Sequence, residues 1–138
     1  MSLPEAVHYN PRSIPLPRRV VTRLVIGAAH LLATQPPGRI RRVLGWVRRG
    51  AVPATLEEAG TARDTVVAVS LVCAAREGCL PRSLATVLLC RLRGRWATWC
   101  VGSRRLPPFG AHAWVEADGV MVGEEFPPDY FRTLFAVR

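Results

Sequence analysis

Gly78-Cys79-Leu80-Pro81-Arg82-Ser83-Leu84, followed by Ala111-His112-Ala113-Trp114-Val115-Glu116, decides how this chain is built. In the first stretch Leu84, Val87 and Leu88 recur at spacings of three and four, the period of a helix, and proline is favoured in a helix's first turn. Cys79 therefore falls at or beside the N-cap, and the helix should end at Gly94. Beyond Gly94 the period changes. Trp96 to Val101 reads as a strand, and His112 to Glu116 and Val120 to Val122 flank Asp118-Gly119, the two-residue loop that most strongly signals a tight hairpin. Helices come first and strands second, which predicts an α+β fold with N-terminal helices packed on a small antiparallel sheet.

Upstream of Cys79 the same reasoning places three more segments. Residues 1–19 contain Pro4, Pro11, Pro15 and Pro17 and are expected to form an extended proline-rich arm, leaving residues 20–138 as a single domain. From Val20 to Ala33, residues Val21, Leu24, Val25, Ala28, Leu31 and Leu32 follow a helical period, ended by Gln35-Pro36-Pro37-Gly38. A second helix is expected from Arg39 to Arg49, with Ile40, Val43, Leu44 and Val47 on one face, arginines on the other and Gly50 closing it. Thr55 with Glu58 and Thr61 with Asp64 each match a capping box, so a third helix, broken near Gly60, should run to about Arg76. Ser70 on its apolar face is expected to back-bond to the helix carbonyls.

Composition narrows the chemistry. The chain has 138 residues, a formal net charge of +9 and 49% hydrophobic residues, enough apolar content to bury a core. All 19 cations are arginine, so no lysine is present for Schiff-base chemistry or a phosphate-binding loop. The longest apolar stretches are about half the roughly 20 residues that span a bilayer, and the N-terminus lacks the pattern of a signal peptide. A cytoplasmic protein with no membrane span is expected. The four cysteines, at 73, 79, 90 and 100, have neither CxxC spacing nor a histidine at metal-ligand spacing, which points to reduced thiols and no metal site.

Among them Cys79 stands apart, because the unpaired N–H groups and macrodipole of a helix N-terminus favour a thiolate. The same N–H groups suit an oxyanion formed by attack on a carbonyl. His112 begins the first strand of the hairpin, and a Cys and a His far apart in sequence are how a nucleophile and its base look before folding. Counting outward from Asp118-Gly119 sets Ala117 opposite Val120 and His112 opposite Glu125, with Glu124 beside it. A slip of one residue exchanges the two glutamates. Trp96, Trp99 and Trp114 are expected in the core.

The Gly78 to Leu84 stretch, the helix to Arg93-Gly94, and Ala111 to Glu116 with Asp118-Gly119 together resemble the leader peptidase of lasso-peptide biosynthesis, a transglutaminase-like cysteine protease family. Arg48-Arg49-Gly50-Ala51-Val52-Pro53-Ala54, with Glu57, Glu58, Ala59 and the run Val66 to Cys73, is similar to the helical region before that family's nucleophile. The likeness spans roughly residues 35–125. It implies a papain- or transglutaminase-like core, Cys79 as nucleophile and His112 as base, with no cofactor. The third position is Asp in many members; here Glu124 is favoured, with Glu125 close behind and Asp129 and Asp118 as further alternatives. Fused members carry an N-terminal leader-gripping domain for which there is no room before residue 35. The resemblance therefore implies a split form acting on a lasso precursor peptide with a separate leader-recognition protein, ahead of a lasso cyclase.

A different class competes with this one. Arg39, Arg41, Arg42, Arg48 and Arg49 cluster on one helix and Arg91, Arg93 and Arg95 near another, as a noncatalytic basic module binding nucleic acid or peptide would require.

Overall fold

The computed structural model describes residues 9–124, 126, 127 and 129–138. Among the described residues five α-helices precede the main sheet: α1 Leu16–Ala33, α2 Pro37–Val47, α3 Leu56–Val69, α4 Leu71–Ala74 and α5 Cys79–Leu92. Strands β1 Val52–Pro53 and β2 Arg95–Trp96 form a short parallel pair that brings the entry to α3 beside the exit from α5. The antiparallel sheet follows, from β3 Thr98–Arg104, β4 Ala111–Ala117, β5 Val120–Met121 and β6 Phe131–Val137, in the order β5-β4-β3-β6. This is the expected α+β arrangement.

Helix α5 is the centre of the packing, touching α1 and α3 on one side and β4 on the other. Its Leu84 and Val87 are fully buried with Leu44, Val66 and Trp99. Burying side chains of this size stabilises by roughly 1.5–3 kcal/mol each. The indole of Trp99 donates to Ser83 Oγ at 3.0 Å and that of Trp96 to the Val137 carbonyl at 3.2 Å, so buried polar atoms join helix to sheet and β2 to β6. All three tryptophans lie in the core as expected.

Several local expectations are corrected. The proline-rich segment is not extended to residue 19: Pro11–Ser13 is a 3-10 turn, and α1 starts at Leu16 with Pro17 in its first turn, where the missing N–H costs nothing. The Asn10 N–H donates to the Ala68 carbonyl, so this end of the arm lies against α3; residues 1–8 are outside the described part. Helix α2 starts two residues earlier than Arg39, again with proline in its first turn, and ends at Val47. Helix α3 runs unbroken through Gly60 because only Thr55 forms a capping box; Thr61 lies inside the helix, where its carbonyl accepts from the Thr65 hydroxyl. The break falls at Ser70, whose hydroxyl accepts from the Cys73 N–H and so caps α4 rather than back-bonding within α3.

The hairpin forms as counted, with Ala117 opposite Val120 and positive φ at both Asp118 (54°) and Gly119 (75°). Strand β6 had no counterpart in the sequence reading. Its pairing with β3 shifts register between Val101 and Gly102, leaving Leu134 without a partner and 60% exposed, and this bulge interrupts the alternation that marks a strand.

Candidate active site

The site forms where α5 meets the open end of the β4–β5 hairpin. Cys79 is the first residue of α5, after the N-cap Gly78. Gly78 is required there on packing grounds: a Cβ would lie 2.0 Å from the Val72 carbonyl oxygen and 3.2 Å from the Cys73 Cα. With no side-chain cap and a proline two residues later, the first turn presents the N–H groups of Cys79 and Leu80 beyond the helix end.

His112 is the second residue of β4, paired with Gly102 of β3. Glycine is needed opposite it, since a Cβ at 102 would meet the Arg132 carbonyl oxygen at 2.2 Å and the Trp114 indole at 2.8 Å. The His112 ring stacks on Phe131 with centroids 4.7 Å apart and on Trp114 at 5.9 Å, and Phe126 approaches edge-on at 6.1 Å. These rings pack around the imidazole and restrict its orientation.

Glu124 reaches His112, with 2.8 Å between Oε1 and Nε2. The ladder alone does not deliver it. Pairing of β4 with β5 stops at Met121, a last bond runs from the Val122 N–H to the Val115 carbonyl, and the chain then turns at Gly123 with φ 71°. That turn brings Glu124 to the ring. Glu125, opposite His112 by simple counting, lies outside the described residues. Asp118 is engaged elsewhere, its carboxylate accepting from the Leu56 N–H at the start of α3. Asp129 sits exposed in the turn before β6.

The electrostatics separate Cys79 from the other thiols. Its pKa is lowered, chiefly by hydrogen bonding to His112, against the opposing effect of burial and with help from the Ala113 N–H. Glu124 occupies Nε2, which leaves Nδ1 as the ring nitrogen available to the thiol. Burial pushes the Cys73 thiol up, Cys90 up to about 11 and Cys100 up to about 12, the last also through Glu116. His112 moves the opposite way: burial disfavours its cation, but hydrogen bonds to Cys79 and Glu124 and their charges prevail and raise it to about 9. Both shifts favour the thiolate and imidazolium forms of the pair. Such a couple can attack a carbonyl through sulfur and return the proton to a leaving amine through the ring.

Sequence reasoning missed two contributors. Phe131 was missed because β6 was missed. Arg82 stands in the Cys79 motif without a chemical signal of its own, although its place one helical turn after Cys79 puts it on the same face. Among the described residues, no group of three or more His, Cys, Asp or Glu side chains could hold a metal ion, and no helix is long and apolar enough to cross a membrane.

Compared with known proteins, residues 22–136 match the family model described as transglutaminase-like superfamily. No curated protein and no solved structure matches the chain.

Proposed function

Because the chain belongs to the transglutaminase-like superfamily, which includes cysteine peptidases, we propose that it is a cysteine peptidase with Cys79 as nucleophile, His112 as base and Glu124 as the group that orients the imidazole. The observation that carries this reading is the meeting of the one lowered thiol with a histidine whose far nitrogen is held by a carboxylate at 2.8 Å. In the reaction Cys79 Sγ forms a bond to the scissile carbonyl carbon, and the oxyanion is met by N–H groups of the first turn of α5. The imidazolium gives its proton to the departing amine as the C–N bond breaks, leaving a thioester. His112 then takes a proton from water, whose oxygen attacks the thioester carbon; the C–S bond breaks, releasing the acid and restoring the Cys79 thiolate beside the imidazolium.

The substrate proposed is the precursor of a lasso peptide, cleaved at the end of its leader with a separate leader-recognition protein, so that a cyclase receives a free N-terminus. This rests on the combined Cys79-Leu80-Pro81-Arg82-Ser83 and His112-Ala113-Trp114-Val115-Glu116 stretches. The test is incubation with a lasso precursor peptide, with and without a separate leader-recognition protein, followed by mass spectrometry. A single cut that adds one water across a peptide bond supports the reading; an amine-linked product would instead indicate a transferase.

The competing basic-module reading loses part of its surface. Arg91 donates to the carbonyls of Val47 and Arg49 at the end of α2, at 2.8 and 3.1 Å, and Arg95 pairs with Glu58 at 3.1 Å. Two of the three arginines in the second cluster are thus occupied in holding elements together.

A further inference from the structure

We propose that Arg82 is a positioning residue of this site, fixing the start of α5 and the Glu124 carboxylate relative to one another without touching substrate. The inference rests on the peptidase reading and assigns to Arg82 a role that neither Cys79, His112 nor Glu124 fills.

The geometry is that of a two-sided tie. From α5, Arg82 Nη1 donates to the carbonyls of Cys73 at 2.9 Å and Ala75 at 3.1 Å, at the C-terminal end of α4. Its Nη2 lies 3.7 Å from Glu124 Oε1, the same oxygen that meets His112. At 3.7 Å this second link is electrostatic rather than a hydrogen bond. The Arg82 and Glu124 side chains are each 11% exposed, so the attraction is poorly screened.

The carbonyls that Arg82 holds belong to the segment leading into the nucleophile. That segment has no slack, since Gly78 packs against the Val72 carbonyl too closely to admit a Cβ. Moving the Cys73 and Ala75 carbonyls therefore moves Gly78 and Cys79. On the other side, Glu124 follows the Gly123 turn, over which the Arg63 side chain lies, so the carboxylate sits between two arginines. A planar guanidinium spans two carbonyls and a carboxylate in one side chain; an ammonium is a point charge that cannot reproduce the fork. The Arg82 cation also favours the Cys79 thiolate.

The test uses Arg82→Met and Arg82→Lys in the full chain, with two readouts: the pH dependence of iodoacetamide alkylation at Cys79, located by peptide mapping, and kcat and KM for precursor cleavage with the leader-binding protein present. For Arg82→Met the acid limb of alkylation should move to higher pH and kcat should fall about tenfold or more, with KM changed less than about threefold. For Arg82→Lys the limb should stay at its wild-type position while kcat still falls, because charge is retained and the fork is lost. A wild-type kcat in either variant overturns the proposal, as does a lower kcat in Arg82→Met with an unmoved limb and a lowered Tm, the signature of a structural role alone. Should Arg82→Met not fold, the Lys variant decides by the same criteria. Ordinary thiol behaviour of Cys79 in the wild-type protein would overturn the peptidase reading itself, and this inference with it.

Discussion

At the scale of single residues, one carboxylate sets the behaviour of the site. Glu124 holds His112 Nε2 and contributes to raising the imidazole to about 9. The imidazolium is thus kept at all pH below about 9, the thiolate joins it above the lowered pKa of Cys79, and the pair is lost above about pH 9 as the ring deprotonates. A fall in kcat/KM centred near pH 9 is expected. In Glu124→Gln the alkaline limb should move to lower pH and the rate should drop on the order of 10²–10⁴-fold. An unshifted limb in that variant would assign the orienting role to another acid. Cys79→Ala should abolish cleavage, whereas Cys90→Ala and Cys100→Ala should keep it, since burial pushes both of those thiols far above neutrality. Alkylation at pH 7 followed by peptide mapping should label Cys79 first.

At the scale of elements, two glycines let α5 and β4 approach as they do. Gly78→Ala places a methyl group inside contact distance of the Val72 carbonyl, and Gly102→Ala does the same against the Arg132 carbonyl. In both, backbone has to move. Each should lower cleavage by more than it lowers Tm, because the displaced segments carry Cys79 and His112; equal, small effects on both would show that the segments relax. The start of α3 offers the opposite case. Thr55 caps it through a reciprocal pair with Glu58, far in sequence from the nucleophile, so Thr55→Ala should cost about 1 kcal/mol of stability and leave kcat close to wild type. Denaturant melts and steady-state rates on the same preparation separate the two outcomes.

At the scale of the molecule, the net charge of +9 is carried by arginines alone, and four of the 19 gather on one surface. Arg41, Arg42, Arg48 and Arg138 line one open groove between α2 and the end of β6. If an acidic leader or partner is drawn there, rising salt should raise KM while leaving kcat at saturation nearly unchanged. Salt-independent KM would remove the arginine face from recognition. The sequence by itself determined the period changes that separate helices from sheet, the Asp118-Gly119 hairpin and the location of Cys79 at a helix start, because each depends on neighbours within a few residues. It also singled out Cys79 and His112, through motifs whose residues are local. The resemblance favoured Glu124 and strand counting Glu125; only the tertiary structure shows how Glu124 meets His112, through a two-residue strand and the left-handed turn at Gly123. It likewise decided the breaks in the helices, where Ser70 rather than Gly60 interrupts α3, and revealed β6, whose bulge hides its alternation. Local spacing carries propensity and period, while the environment of a titrating side chain is assembled from segments far apart in the chain, Gly78 to Arg82, Gly102, Glu124 and Phe131. Their distances are set by packing, which no spacing along the chain encodes.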